Sequence, residues 1–267
     1  MKLRQKTVSK PWGQLTLPKV FGGKKKEKIG EIWFAPPKGI TPTLLVKYLF
    51  TSEKLSIQVH PNDRQARRQG LPNGKEECWY ILDAEPDAVL GIGLTKEVST
   101  AKLHAAVVCG EIEQLIDWKP VKPGDLFYVP AGTIHAIGAG IRLIEVQNNA
   151  DVTYRLYDYG RPRELHLEEA LAVATSGAYD MKNYLATVPD QSAKLIDGPH
   201  FRLFQIIGDD HDILRNTVAG EWQVIPLEGQ ITSRGKAIGP GECGLCTKVS
   251  EIDLSKNVKS LIVCSMK

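Results

Sequence analysis

Short runs rich in β-branched and aromatic residues recur along the chain, each stopped by glycine, proline or a polar turn: 43–50 (TLLVKYLF), 55–59 (LSIQV), 78–84 (CWYILDA), 88–94 (AVLGIGL), 125–130 (DLFYVP) and 141–147 (IRLIEVQ). Strands this short and this closely spaced bury themselves by stacking sheet on sheet or by closing into a barrel. The pattern therefore predicts a mainly β fold. Helices interrupt it at three places: from Asp63 with Asn62 as cap, from about 99 to 108 and on past Gly110, and from 163 to 175 after Pro162. Leu165, Leu167, Ala170, Leu171 and Ala174 give the last one an apolar stripe. Strands resume at 200–207 and 221–229, with a final run near 261–264. The expected organisation is a first β lobe over 1–160, a helical connector over 161–180 and a smaller β lobe over 181–267.

Composition narrows the function by exclusion. Lysine and arginine number 34 against 31 aspartates and glutamates, a net charge of +3. So slight an excess gives no overall field for nucleic acid or membrane, and no obligate protein partner is evident. The basic run Lys24, Lys25, Lys26 and Lys28 reads as a solvated loop. Five scattered cysteines in a chain of 267 residues read as reduced thiols. The spacing of Cys243 and Cys246 lacks the second pair of a zinc site, so structural roles are expected. With no run of eighteen apolar residues and no apolar leader after Met1, the expectation is a soluble, cytoplasmic protein.

The chemistry concentrates in three segments. In 124–135 (GDLFYVPAGTIH), a Gly-Asp turn launches a strand, Pro130 and Gly132 end it in a bend, and the bend aims His135 inward. In 58–61 (QVHP), Gln58 and His60 share one strand face, because side chains alternate with period two. In 75–81 (KEECWYI), Glu77 points opposite to Glu76. Two imidazoles, one carboxylate and one amide oxygen form a mixed nitrogen and oxygen set suited to zinc, with other divalent metals also suited. His104, His166, His200 and His211 lack ligand spacing and read as structural or surface residues.

The segment 124–135 resembles the second motif of the cupins, whose histidine binds metal. Together with LSIQVHPND, GKEECWYILDAEP and VQNNADVTYRLYDYGRPRELH, and more faintly PWG at 11–13 and GEIW at 30–33, it resembles the signature blocks of the type I mannose-6-phosphate isomerases. The resemblance covers most of 43–170 and implies a cupin-type jelly-roll barrel with a second, smaller β lobe and a few connecting helices. It implies Gln58, His60, Glu77 and His135 as ligands of one divalent metal, usually zinc, and a small sugar phosphate as substrate. The implied reaction interconverts mannose 6-phosphate and fructose 6-phosphate through a cis-enediol. Only a few residues, FAPPKGI at 34–40 and then Thr41 and Pro42, separate Trp33 from the strand at 43, where family members carry a longer segment. That departure bears on sugar specificity more than on metal binding.

Arg155 and Glu145 match the family's active-site arginine and carboxylate, and Lys75 matches a lysine of its motif. Arg155 would offer forked donors to the enediolate or the phosphate. Glu145 would relay a proton or hold Arg155 in place. Lys75, Glu145 and a water on the metal stay open as carriers of the C2 proton. Ser56 and Lys47 are expected contacts of the substrate phosphate. Two rivals stand beside the isomerase: a non-catalytic sugar-phosphate-binding cupin and an iron-dependent cupin oxygenase.

Overall fold

A computed structural model describes residues 1–266 apart from 216, 218 and 219. The first eleven strands are β1 (Arg4–Thr16), β2 (Lys24–Ala35), β3 (Leu44–Phe50), β4 (Ile57–Val59), β5 (Glu77–Ala84), β6 (Val89–Leu94), β7 (Ile116–Pro120), β8 (Leu126–Val129), β9 (His135–Ile137), β10 (Ile141–Asn148) and β11 (Tyr154–Tyr157). After them come β12 (Tyr184–Leu185), β13 (Ala193–Asp197), β14 (Phe201–Ile207), β15 (Trp222–Ser233), β16 (Lys236–Ile238), β17 (Gly244–Cys246) and β18 (Ile252–Ser265). Among the described residues four α-helices are interspersed: α1 (Asp63–Arg68), α2 (Thr100–Cys109), α3 (Ile112–Leu115) and α4 (Leu167–Val173).

These strands form three sheets, ordered β1-β2-β3-β10-β5-β8-β12, β11-β4-β9-β6-β7 and β13-β14-β18-β15-β16, with β17 on β15. From β3 to β11 the chain passes back and forth between the first two sheets, which is the jelly-roll crossing. Short strands serve this path because each need only traverse one layer before the chain crosses to the other. Trp79, Ile81, Phe127 and Leu143 from the first sheet meet Leu90, Ile92 and Ile137 from the second in one core. Residues of α2 and α4, among them Leu103, Val107 and Val173, cover the outer side of the second sheet.

The first sheet is buried on both faces. Val46, Tyr48, Phe50, Ile144 and Val146 turn away from the barrel and pack with Phe201, Leu203, Ile225, Leu261 and Val263 of the third sheet. Burying one such side chain contributes about 1.5–3 kcal/mol, so this contact holds the third sheet firmly against the barrel. The alternate residues Leu45, Lys47 and Leu49 face inward and line the cleft described below.

Several sequence expectations are corrected. The basic run at 24–28 is the start of β2, with Lys24 paired to Thr16, and not a loop. Its residues are exposed or half-buried, so a strand that borders solvent tolerates the charge that made it read as loop. The helix expected past Gly110 stops at Cys109 because Gly110 takes a left-handed conformation (φ 80°), and α3 begins separately. The helix expected over 163–175 covers only Leu167–Val173. Upstream, the side chains of Arg161 and Arg163 clasp Asp158, holding that segment as a loop. Asn62 does cap α1, and reciprocal bonds with Gln65 form a capping box.

Candidate metal centre and its cleft

Strand register places the chemistry. Trp33 of β2 pairs with Lys47 of β3, Lys47 with Glu145 of β10, and Glu145 with Trp79 of β5, a continuous row across the first sheet. One step along, Leu45, Gln147 and Glu77 form a parallel row. On the facing sheet Arg155 pairs with Gln58, and Gln58 with His135. Three elements distant in sequence thus converge between the layers.

His60, Glu77 and His135 are buried, and one ligand atom from each lies within 4.8 Å of the others. His60 Nε2 stands 3.5 Å from Glu77 Oε2, and His135 Nε2 stands 3.4 Å from Glu77 Oε1. Gln58 places its amide nitrogen, Nε2, 3.2 Å from His135 Nε2, so its oxygen would reach a shared ion only with the amide turned over. Atoms bound tetrahedrally to one zinc at about 2.0–2.1 Å stand about 3.4 Å apart, so the group has the spacing of a ligand shell. Both ring nitrogens of His60 and both oxygens of Glu77 are buried without a hydrogen bond. Orphaned polar atoms of this kind are costly, and a shared cation satisfies them. The donor set therefore fits a divalent metal.

Outer contacts orient these ligands. His135 Nδ1 donates to the Thr133 carbonyl at 2.8 Å, which leaves Nε2 as an acceptor beside the Gln58 amide nitrogen and free to ligate an ion. Gly132 adopts φ +84° and donates its N–H to the His60 carbonyl at 2.8 Å, joining the bend that aims one histidine to the strand end that carries the other. A Cβ at Gly132 would lie 3.1 Å from the Val173 carbonyl oxygen, so glycine serves both the angle and the approach. Lys75 precedes β5, and its N–H is fixed to the Pro61 carbonyl at 3.0 Å. Its Nζ reaches 2.9 Å from Glu77 Oε2, a charge contact too oblique for a hydrogen bond.

Electrostatics favour the ligating forms. Burial, with help from the Lys75 ammonium, pushes the His60 imidazole down to about 3. Burial likewise lowers His135 against the pull of Glu77. Burial alone would raise Glu77, but Lys75 and the two histidines outweigh it and hold the carboxyl well below its usual range. Two neutral imidazoles and one carboxylate result, the protonation states in which these groups bind metal.

A cleft of about 440 Å³ opens beside this group. Lys47, Ser56, Gln58, Lys75, Glu145 and Arg155 all line it. Glu145 holds Lys47 at 2.8 Å, and not Arg155 as one sequence expectation had it; Gln147 takes a second bond from the same ammonium at 2.6 Å. Burial depresses Lys47, yet Glu145 and Glu31 outweigh it and raise it above its ordinary value. Arg155 Nη1 donates to the Glu164 carbonyl at 2.6 Å, while its buried Nε has no partner. Ser56 Oγ lies 3.3 Å from Gln58 Oε1.

Sequence reasoning gave no role to Lys10, Glu31, Trp33, Gln147 or Arg163, all of which line the cleft. Glu31 accepts from Trp33 Nε1 at 2.7 Å, and Lys47 lies 5.3 Å from the centre of the Trp33 ring. The alternation of Glu31 and Trp33 on one face of β2 was the available signal. The thiols of Cys243 and Cys246 sit in the third-sheet region, buried, with burial raising both.

No family model matches the chain. Over 161 residues it is 44% identical to the mannose-6-phosphate isomerase ManA of Bacillus subtilis, a match covering 54% of this chain and 50% of the relative. The chain spans about half the length of the curated relatives it matches. Structural similarity extends further: a crystal structure of a mannose 6-phosphate isomerase from Bacillus subtilis superposes with a TM-score of 0.79 at 27% identity, covering 100% of this chain and 99% of the other. A mannose 6-phosphate isomerase bound with zinc and yttrium has a TM-score of 0.71 at 15% identity, covering 100% of this chain and 99% of the other, a likeness of fold. The relatives that the sequence matches are mannose-6-phosphate isomerases, and the jelly-roll fold is shared with them.

Proposed function

We propose that the chain is a metal-dependent aldose-ketose isomerase that interconverts mannose 6-phosphate and fructose 6-phosphate through a cis-enediol. The observation that carries the reading is the convergence of His60, Glu77 and His135, with unpaired ligand atoms, at a cleft lined by Lys75, Glu145 and Arg155. Likeness to the Bacillus subtilis enzymes names the substrate.

His60, Glu77 and His135, with the Gln58 amide oxygen once turned inward, would hold the metal, and zinc would suit the mixed donors. When bound, such an ion stabilises negative charge developing on the substrate oxygens. The remaining work falls to side chains. In the forward direction the C2–H bond breaks, a C1–H bond forms, and a hydroxyl proton passes from O2 to O1. Proton transfer is assigned to Lys75 and Glu145, both of which line the cleft and are buried where water competes little. Arg155 keeps its charge at all working pH values and opposes the charge of the enediolate. Ser56 and the ammonium of Lys47 are assigned to the phosphate end, Lys47 sharing its protons with Glu145 and Gln147.

Residues 1–160 are assigned as the metal-binding lobe, 161–180 as connector and 181–267 as the second lobe, although β12 pairs with β8 of the first sheet. All five cysteines are free, which fits a reducing compartment such as the cytoplasm. Among the described residues no helix is long and apolar enough to cross a membrane.

The test is a coupled assay for fructose 6-phosphate formed from mannose 6-phosphate by zinc-loaded protein, with and without chelator. Turnover abolished by chelation and restored by zinc is expected. Absence of turnover by the loaded protein contradicts the reading.

A further inference from the structure

The third sheet supplies none of the metal-binding residues, yet it reaches the strand that carries Glu77. Side chains alternate along that strand, so Glu76 points away from the cleft and toward the third sheet. Tyr128, on the neighbouring strand β8 of the same sheet, donates its hydroxyl to Glu76 Oε2, and His200 Nε2, from the third-sheet side, lies 3.9 Å from Glu76 Oε1. His200 immediately precedes β14, and the Tyr128 ring packs edge-on against Phe201 with centroids 5.8 Å apart. The backbone of Glu76 is held as well: its N–H donates to Asn148 Oδ1 at 3.0 Å, and its carbonyl accepts from the Asn148 N–H at 3.1 Å. Glu76 is thus fixed from both sides, next in sequence to a carboxylate whose own oxygens lack hydrogen bonds.

We infer that Tyr128, on the neighbouring strand β8 of the first sheet, and His200, at the head of β14 in the third sheet, are positioning residues for the metal centre, which together clamp Glu76 and so fix the direction of Glu77. This rests on the metal-site reading given above. Within the cleft the Glu77 carboxylate has the charge contact with Lys75 but no hydrogen bond, so its aim depends also on the strand behind it. Loss of an outer-shell contact of this kind costs about 10 to 100-fold in metal affinity.

The experiment measures zinc affinity of the metal-free full chain by competition with a chromophoric chelator, beside thermal unfolding of the same metal-free samples. Tyr128→Phe keeps the ring on Phe201 and removes the hydroxyl; zinc affinity is expected to fall about 10-fold with little change in the unfolding temperature. His200→Ala is expected to weaken zinc binding by a smaller factor. Glu76→Gln, whose amide oxygen still accepts from Tyr128, is expected to stay near wild type. Phe201→Leu loosens the packing between sheets and is expected to lower the unfolding temperature while leaving zinc affinity intact. Tight wild-type binding that Tyr128→Phe leaves unchanged, or that Phe201→Leu weakens as much as Tyr128→Phe does, overturns the inference. Wild-type protein that binds zinc no better than His135→Ala would instead remove the metal centre itself.

Discussion

The barrel and the third sheet bury polar groups of different kinds. Around the cleft Glu31, Lys47, His60, Lys75, Glu77, His135 and Glu145 are all buried. Among the described residues of the third sheet, the buried polar side chains are uncharged: Gln205, Gln223, Ser233, Asn257, Ser260 and Ser265. Those amides fasten loops and neighbouring strands, as when Gln205 donates to the Pro189 and Gln191 carbonyls and Gln223 to the Leu44 carbonyl. Burying a charge carries a penalty of several kcal/mol even when it is paired. The two-sheet barrel and the single third sheet, both antiparallel, thus differ in what they are arranged to do: one concentrates charge where chemistry needs it, and the other packs and supports.

The sharpest way to break this contrast is His135→Ala, which is expected to abolish turnover and weaken zinc binding beyond the roughly 10 to 100-fold cost of losing an outer partner. Metal analysis after dialysis checks it. Arg155→Ala is expected to keep its metal and lose about 100 to 1,000-fold in kcat; steady-state kinetics beside metal content decide the matter, and equal metal loss in both variants would show the roles to be misassigned. Lys47→Met leaves Glu145 buried without its partner, and denaturant unfolding of the metal-free protein is expected to show a loss of about 3–5 kcal/mol.

Metal-free protein is also expected to lose stability as pH falls. His60 and His135 have folded values below the 6.5 of an unfolded histidine, with His60 near 3. Below pH 6.5 the unfolded chain therefore binds protons that the folded chain refuses, which favours unfolding. Glu77, also depressed, adds loss in the same direction below the ordinary carboxylate range. Unfolding temperatures measured downward from pH 7.5 should drop on crossing 6.5, and zinc should blunt the drop. The smallest effect is expected in the third sheet. Gln205→Leu, which deletes an uncharged amide, should cost about 1–3 kcal/mol and leave kcat unchanged, whereas a large kinetic effect there would erase the contrast.

Much of the site was legible because its logic is local. Gln58 and His60 share a face by strand alternation, and the Pro130 and Gly132 bend that aims His135 is written in consecutive residues. Glu77 stood out opposite Glu76 in its strand-like run, the resemblance of the surrounding blocks then supplied Lys75, Glu145 and Arg155, and all four lie at the metal group or line its cleft. Partners across strands were less accessible. Lys47 meets Glu145 because β3 and β10 are neighbours, 98 positions apart in sequence, and spacing within one segment does not reveal that. Strands with a solvated face were missed for another reason. β1 carries mostly exposed or half-buried polar residues, and β18 begins with polar and apolar residues intermixed, so only its buried end at 261–264 stood out. Glu31 and Trp33 were obscured by the same polar surroundings.

The most direct measurement is anomalous diffraction at the zinc edge from crystals of the zinc-loaded protein. The account predicts one dominant peak about 2.0–2.2 Å from His60, Glu77 and His135, with the Gln58 amide oxygen turned toward it. A peak elsewhere, or none between these side chains, would contradict it.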